Sequence, residues 1–104
     1  VKGSIMAERT PEDVIDNPER HRFELPLDGG DVAAAYYRPD DSGHLILTHT
    51  VVPPAHEGKG YASILARGVF DTALKRGIQY VVKCPYMAAW YAKHPDYADV
   101  VFSL

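Results

Sequence analysis

The spacing of apolar residues changes character once along this chain, at Gly58, and that change limits the fold more than any other feature. Ahead of it, Phe23, Leu25 and Leu27 alternate with other residues, the mark of a strand, and Pro26 places that strand at a sheet edge. The turn Asp28-Gly29-Gly30-Asp31 joins it to a second strand over Val32 to Arg38, and Pro39 to Gly43 leads into a third from His44 to Val52. Three successive antiparallel strands are the simplest arrangement of these runs. Beyond Gly58, residues Tyr61, Ala62, Leu65, Val69 and Ala73 recur at helical spacing, with Ile64, Phe70 and Leu74 widening the stripe. Lys75 and Arg76 suit the negative end of that helix, and Gly77 follows as its C-terminal stop. A buried strand over Ile78 to Lys83 comes next, then a shorter helix over Pro85 to His94, opened by Pro85 and ended by Pro95. The tail from Asp96 to Leu104 carries Val100-Val101-Phe102, which reads as a last short strand or a packed helical turn. The expected order is β-β-β-α-β-α with a short C-terminal element, an α/β (α+β) domain.

The 104 residues suffice for one compact domain, and 46% hydrophobic residues suffice for a real core. Residues 6–20, with Pro11 and Pro18, read as an irregular arm. Val1-Lys2-Gly3-Ser4-Ile5 reads as a non-native leader before Met6, so the domain is expected to span residues 6–104. A net charge of -3 and a pI near 5.9 argue against nucleic acid as the main partner, because phosphate backbones call for a clustered basic surface. No apolar stretch approaches the roughly 18 residues that span a bilayer, and no secretory signal is visible. Cys84, the single cysteine, allows no intramolecular disulfide, which fits a reducing cytoplasm.

The segment His56-Glu57-Gly58-Lys59-Gly60-Tyr61-Ala62 lies between a strand and a long helix. The first turn of a helix presents unpaired N–H groups and a partial positive charge, and glycines let that backbone approach an anion. Lys59 adds charge. A Walker A loop would need Ser or Thr after Gly-Lys, where Gly60 stands, and Gly at position 53, which is Pro53. The dinucleotide pattern G-x-G-x-x-G would need Gly at position 63, which is Ser63. A pyrophosphate of another kind, or a plain tight turn, are the readings left.

The runs Leu45-Ile46-Leu47-Thr48-His49-Thr50-Val51-Val52-Pro53, Gly58-Lys59-Gly60-Tyr61-Ala62, Cys84-Pro85-Tyr86 and His94-Pro95-Asp96-Tyr97 together resemble the small, stand-alone YjdJ-type branch of the GNAT N-acetyltransferase superfamily. The likeness in order and spacing covers about residues 20–101. It implies a mixed, largely antiparallel sheet that splays open beside the loop to admit acetyl-CoA, with an amine as acceptor. The superfamily pattern Q/R-x-x-G-x-G/A falls on Glu57, Gly60 and Ala62, so the resemblance puts the pyrophosphate on the amides of Glu57, Gly58, Lys59, Gly60, Tyr61 and Ala62. It puts the pantetheine arm along Val51 and Val52. Glu57 departs from the expected Gln or Arg and sets an acid near a phosphate. That departure favours a rival reading, a CoA-binding module or interaction protein that keeps the fold without the chemistry.

Acetyl transfer to an amine needs a neutral nitrogen near the thioester carbon, a donor for the oxyanion and a proton for the departing thiolate. A backbone N–H near Val52 could serve the oxyanion. Cys84 sits where a strand ends and Pro85 opens a helix, a position that makes a thiol a better nucleophile or proton exchanger. A buried, inert cysteine fits the position as well. Strict alternation sets His49 on the face of Leu45, Leu47 and Val51, away from Thr48 and Thr50. A histidine there is more often a core residue than a base, yet the resemblance keeps it as a base or anchor on the substrate side. Tyr91 falls where larger relatives place a tyrosine that protonates the thiolate, and it also suits packing of the second helix. His21, His44 and His56 read as loop or edge residues. The His, Asp and Glu residues show no metal-ligand spacing, so no metal is expected.

Overall fold

The computed structural model of the protein describes residues 9–104, so the proposed leader 1–5 and Met6 lie outside the described residues. Strands β1 (Ile15–Asn17), β2 (Arg22–Pro26), β3 (Val32–Pro39) and β4 (Leu45–Val51) precede helix α1 (Tyr61–Arg76). Strand β5 (Tyr80–Val82), helix α2 (Pro85–Ala92) and strand β6 (Val101–Ser103) follow it. All six strands form one sheet in sequence order. The joins from β1 to β4 are antiparallel, and β4–β5 and β5–β6 are parallel. The mixed, largely antiparallel α/β architecture expected above is therefore present.

Two local expectations change, and an open one is resolved. The arm contributes a strand, β1, so β2 is not the edge. Pro26 is tolerated because β1 reaches only from Arg22 to Glu24, and Pro26 lies past its end. The tail uses both of its readings, a 3-10 segment over Pro95–Val100 and then β6. Finally, α2 stops at Ala92, and His94 caps its end, its Nδ1 lying 2.7 Å from the Trp90 carbonyl with its ring stacked on the indole.

Both helices pack on one face of the sheet. Phe23 and Leu25 of β2, Ala33 and Ala35 of β3, Leu47 of β4, and Tyr80 and Val82 of β5 meet Leu65, Val69 and Phe70 of α1 and Met87 and Trp90 of α2. The alanines of β3 let α1 lie close to the sheet. Phe70 is the hub of this core, with the rings of Tyr80, Trp90 and Tyr97 all within 5.8 Å of its own. Burial pushes the Tyr80 hydroxyl far above its ordinary pKa, and it donates to the Val69 carbonyl at 2.7 Å. Gly68, in mid-helix, is required by close approach of the arm. A methyl group there would overlap the Val14 side chain and the Pro11 carbonyl. Arg9 ties the same arm to the β2–β3 turn through the Pro26 carbonyl at 2.6 Å and Asp28 at 2.8 Å.

Candidate functional site

The site forms where β4 leaves β5. The parallel register runs only from Leu45↔Tyr80 to Leu47↔Val82, and the Leu47 carbonyl then accepts from both Lys83 N (3.0 Å) and Cys84 N (2.9 Å). On its other side β4 stays paired with β3 as far as Val51↔Ala34. Residues 48–51 therefore run on beyond the last pairing with β5, and a wedge opens between the two strands. A side-chain bridge crosses it. Thr50 Oγ1 lies 3.3 Å from Cys84 Sγ, on the core-facing side shared with Ala35, the partner of Thr50. Cys84 is only 2% exposed, and it stands at the N-cap of α2 as its sequence position implies.

A second irregularity coincides with the first. Tyr36 pairs with His49 while Tyr37 pairs with Leu47, so Thr48 is an extra residue, a β-bulge. A bulge reverses the alternation beyond it. His49 and Val51 therefore share the uncovered face with Tyr36 and Ala34, and Thr50 takes the core face. This corrects the expectation that His49 sits with Leu45 and Leu47. It is exposed, its ring is stacked on Tyr36 at 4.3 Å and 7°, and Thr48, read above as facing away, is its neighbour at 3.1 Å. Cys84 and His49 thus flank the free end of β4 from opposite faces of the sheet.

Beyond β4 the chain makes a 3-10 turn over Pro54–His56 and reaches the glycine loop. Gly58 (φ 80°) and Gly60 (φ 83°) hold left-handed backbone that side chains resist, and Gly60 is the N-cap of α1. The helical ladder begins with Ile64 N to the Gly60 carbonyl at 3.3 Å. The amides of Tyr61, Ala62 and Ser63 lie in the first turn ahead of it, where a helix leaves its donors free. They border a cavity of about 220 Å³ lined also by Val52, His56, Glu57, Gly58, Gly60 and Tyr86. Of the predicted binding residues, Val52, Glu57, Gly58, Gly60, Tyr61 and Ala62 line this space, while Val51 and the exposed Lys59 do not. A larger hollow of about 420 Å³ lies at the other end of α1, by Gly77 and Asp99. That is the negative end of the helix, unsuited to a phosphate.

Two residues of the site escape sequence reasoning. His56 is buried, not a plain loop residue, and its Nε2 lies 3.0 Å from Asp31 Oδ2, which anchors the loop to the β2–β3 turn. Neither residue carries a motif. Tyr86 lines the cavity two residues after Cys84, and burial is the main cause that raises its hydroxyl pKa. Its place in the first turn of a helix that starts at the wedge is the signal that could have found it. Tyr91 is not brought to the cavity; it is half-buried, with its ring 6.2 Å from that of Phe70.

Among the described residues, no group of three or more His, Cys, Asp or Glu side chains could hold a metal, and no helix is long and apolar enough to cross a membrane. The sequence model of the family described as GCN5-related N-acetyl-transferase matches residues 22–100. Protein NATD1 of Gallus gallus is 26% identical over 92 residues, covering 88% of this chain and 84% of that protein. Protein NATD1 of Mus musculus is 27% identical over 93 residues, with the same coverage of 88% and 84%.

Proposed function

The chain belongs to the GCN5-related N-acetyltransferase family, and from that premise we propose that it transfers acetyl from acetyl-CoA to a primary amine by direct reaction in a ternary complex. The observation that carries this reading is the wedge between β4 and β5 opening beside a glycine loop with free first-turn amides. A cavity of about 220 Å³ suits a pyrophosphate rather than a whole nucleotide, whose sites commonly occupy about 300–1,000 Å³. The amides of Tyr61, Ala62 and Ser63, at the positive end of α1, would hold that group. The β4 backbone past Leu47 would hold the pantetheine arm.

Acetyl-CoA supplies the acetyl group as a thioester with a good leaving sulfur. The protein's own residues do the rest. His49, on the uncovered face, takes a proton from the acceptor's ammonium, since only the neutral amine attacks. A β4 amide near Val52 steadies the oxyanion. The Cys84 thiol, beside Thr50, relays a proton to the departing sulfur at the wedge; in the alternative to direct transfer it carries the acyl group transiently. Tyr91 serves packing on Phe70. The uncovered sheet face leaves the acceptor side open, which suits an exposed amine.

Glu57 carries the second reading, a CoA-binding module without chemistry, because this exposed acidic residue lines the same cavity. Thermal melting with millimolar CoA and acetyl-CoA tests both, as ligand bound to the folded state raises the midpoint. No rise would remove both readings. A rise without transfer to any primary amine would leave the module. Mass spectrometry of the intact protein after acetyl-CoA treatment, with Cys84→Ser as control, reads whether the sulfur carries acetyl.

A further inference from the structure

The bulge residue Thr48 has one hydroxyl hydrogen and two polar neighbours. Its Oγ1 lies 3.2 Å from the Tyr36 carbonyl oxygen and 3.1 Å from His49 Nδ1. A carbonyl oxygen can only accept, so both contacts are hydrogen bonds only when the single Thr48 hydrogen goes to Tyr36. Toward His49 the hydroxyl then has only a lone pair, and Nδ1 must be the donor. The hydrogen bond at one imidazole nitrogen decides which nitrogen carries the proton. In the neutral ring, Nδ1 therefore holds it, and Nε2 keeps the lone pair.

We infer that Thr48 is a positioning residue that fixes His49 in the Nδ1–H tautomer, making Nε2 a proton acceptor for the incoming amine. Three features act together. The Tyr36 ring, stacked on the imidazole at 4.3 Å, sets its plane. The Tyr36 carbonyl consumes the hydroxyl hydrogen. The bulge carries all of this onto the uncovered face, on the stretch of β4 that has parted from β5. An Nε2–H tautomer would turn a donor toward an ammonium that needs an acceptor. The catalytic part of this inference rests on the transferase reading above. In that step His49 Nε2 takes one proton of the acceptor's ammonium, and the freed nitrogen lone pair forms the new C–N bond. As the thioester C–S bond breaks, a second proton from the same nitrogen ends on the departing sulfur. His49 then returns its proton to solvent.

The test has one arm independent of activity. Long-range 1H–15N correlation spectra of the ¹⁵N-histidine-labelled protein, at about pH 8.5 where an ordinary imidazole is neutral, report which His49 nitrogen is protonated. The native protein should show Nδ1–H. Thr48→Val, which keeps the branched shape, should shift the population toward Nε2–H, and Thr48→Ser should restore it. An Nε2–H ring in the native protein, or an unchanged ring in Thr48→Val, overturns the inference. In the second arm, acetyl transfer to lysine amide should lose about three- to tenfold in kcat in Thr48→Val, the worth of one neutral hydrogen bond. The KM for acetyl-CoA should stay unchanged, and Thr48→Ser should recover the rate. An altered tautomer with native kcat overturns the positioning role. Absence of transfer in the native protein would instead count against the transferase reading, while the spectra still decide the tautomer.

Discussion

The two halves of β4 do opposite work. From Leu45 to Leu47 the strand is paired on both sides, antiparallel to β3 and parallel to β5, with Leu47 sealed in the core at 1% exposure. From Thr48 to Val51 it bulges, pairs only with β3, and presents His49 and Val51 to the uncovered face. One half spends its hydrogen bonds on the sheet and its side chains on the core. The other leaves one backbone edge and one face for other molecules. A strand that leaves a sheet midway is a weakness for stability and a use for binding, because the groups withheld from the ladder need partners.

The contrast can be broken most forcefully at the core. Leu47→Ala should cost about 2–5 kcal/mol of stability by removing a buried side chain and leaving a void, whereas Val51→Ala, 47% exposed, should stay within about 0.5 kcal/mol. Denaturant titration of the two variants checks this, and equal losses would erase the difference between the halves.

Next in size is Gly60→Val, which forces a β-branched residue to φ 83° at the helix N-cap at about 1–3 kcal/mol of strain. The rise in melting midpoint on adding CoA should be lost, and a native-sized rise would separate the loop from binding. Smaller again is His56→Ala, which frees the loop from Asp31. CoA should bind about three- to tenfold more weakly, the scale of one hydrogen bond, in a titration followed by melting. Tyr91→Phe should have the least effect, with kcat within about twofold of native, as a change of about 0.5 kcal/mol or less permits. A large fall in kcat would move Tyr91 from packing to the chemistry.

Much of the fold was legible because its signals are local. Alternation marked β2, the turns at Asp28 to Asp31 and Pro39 to Gly43 marked β3 and β4, helical spacing marked α1, and Pro85 and Pro95 bounded α2 to within two or three residues. The glycine loop was legible for the same reason, since left-handed backbone before a helix demands glycine at Gly58 and Gly60. Misses occurred where distant segments meet. Strand β1 is three residues long and exists only because β2 offers it an edge. The pairing of buried His56 with Asp31 joins residues 25 positions apart, and the Cys84–Thr50 contact spans 34. Neither pairing leaves a periodic trace.

His49 shows the division most clearly. By itself the sequence determined that a polar, ring-bearing residue stands late in a strand that runs into a glycine loop, because composition and spacing alone carry that information. Which face the ring takes was decided only by the tertiary structure. The bulge at Thr48 arises from the register of β4 against β3, a choice made between strands and not within one, and one extra residue turns every later side chain over. The wedge has the same origin. Leu47 spends its carbonyl on both Lys83 and Cys84, and the strand beyond it is left with an open edge.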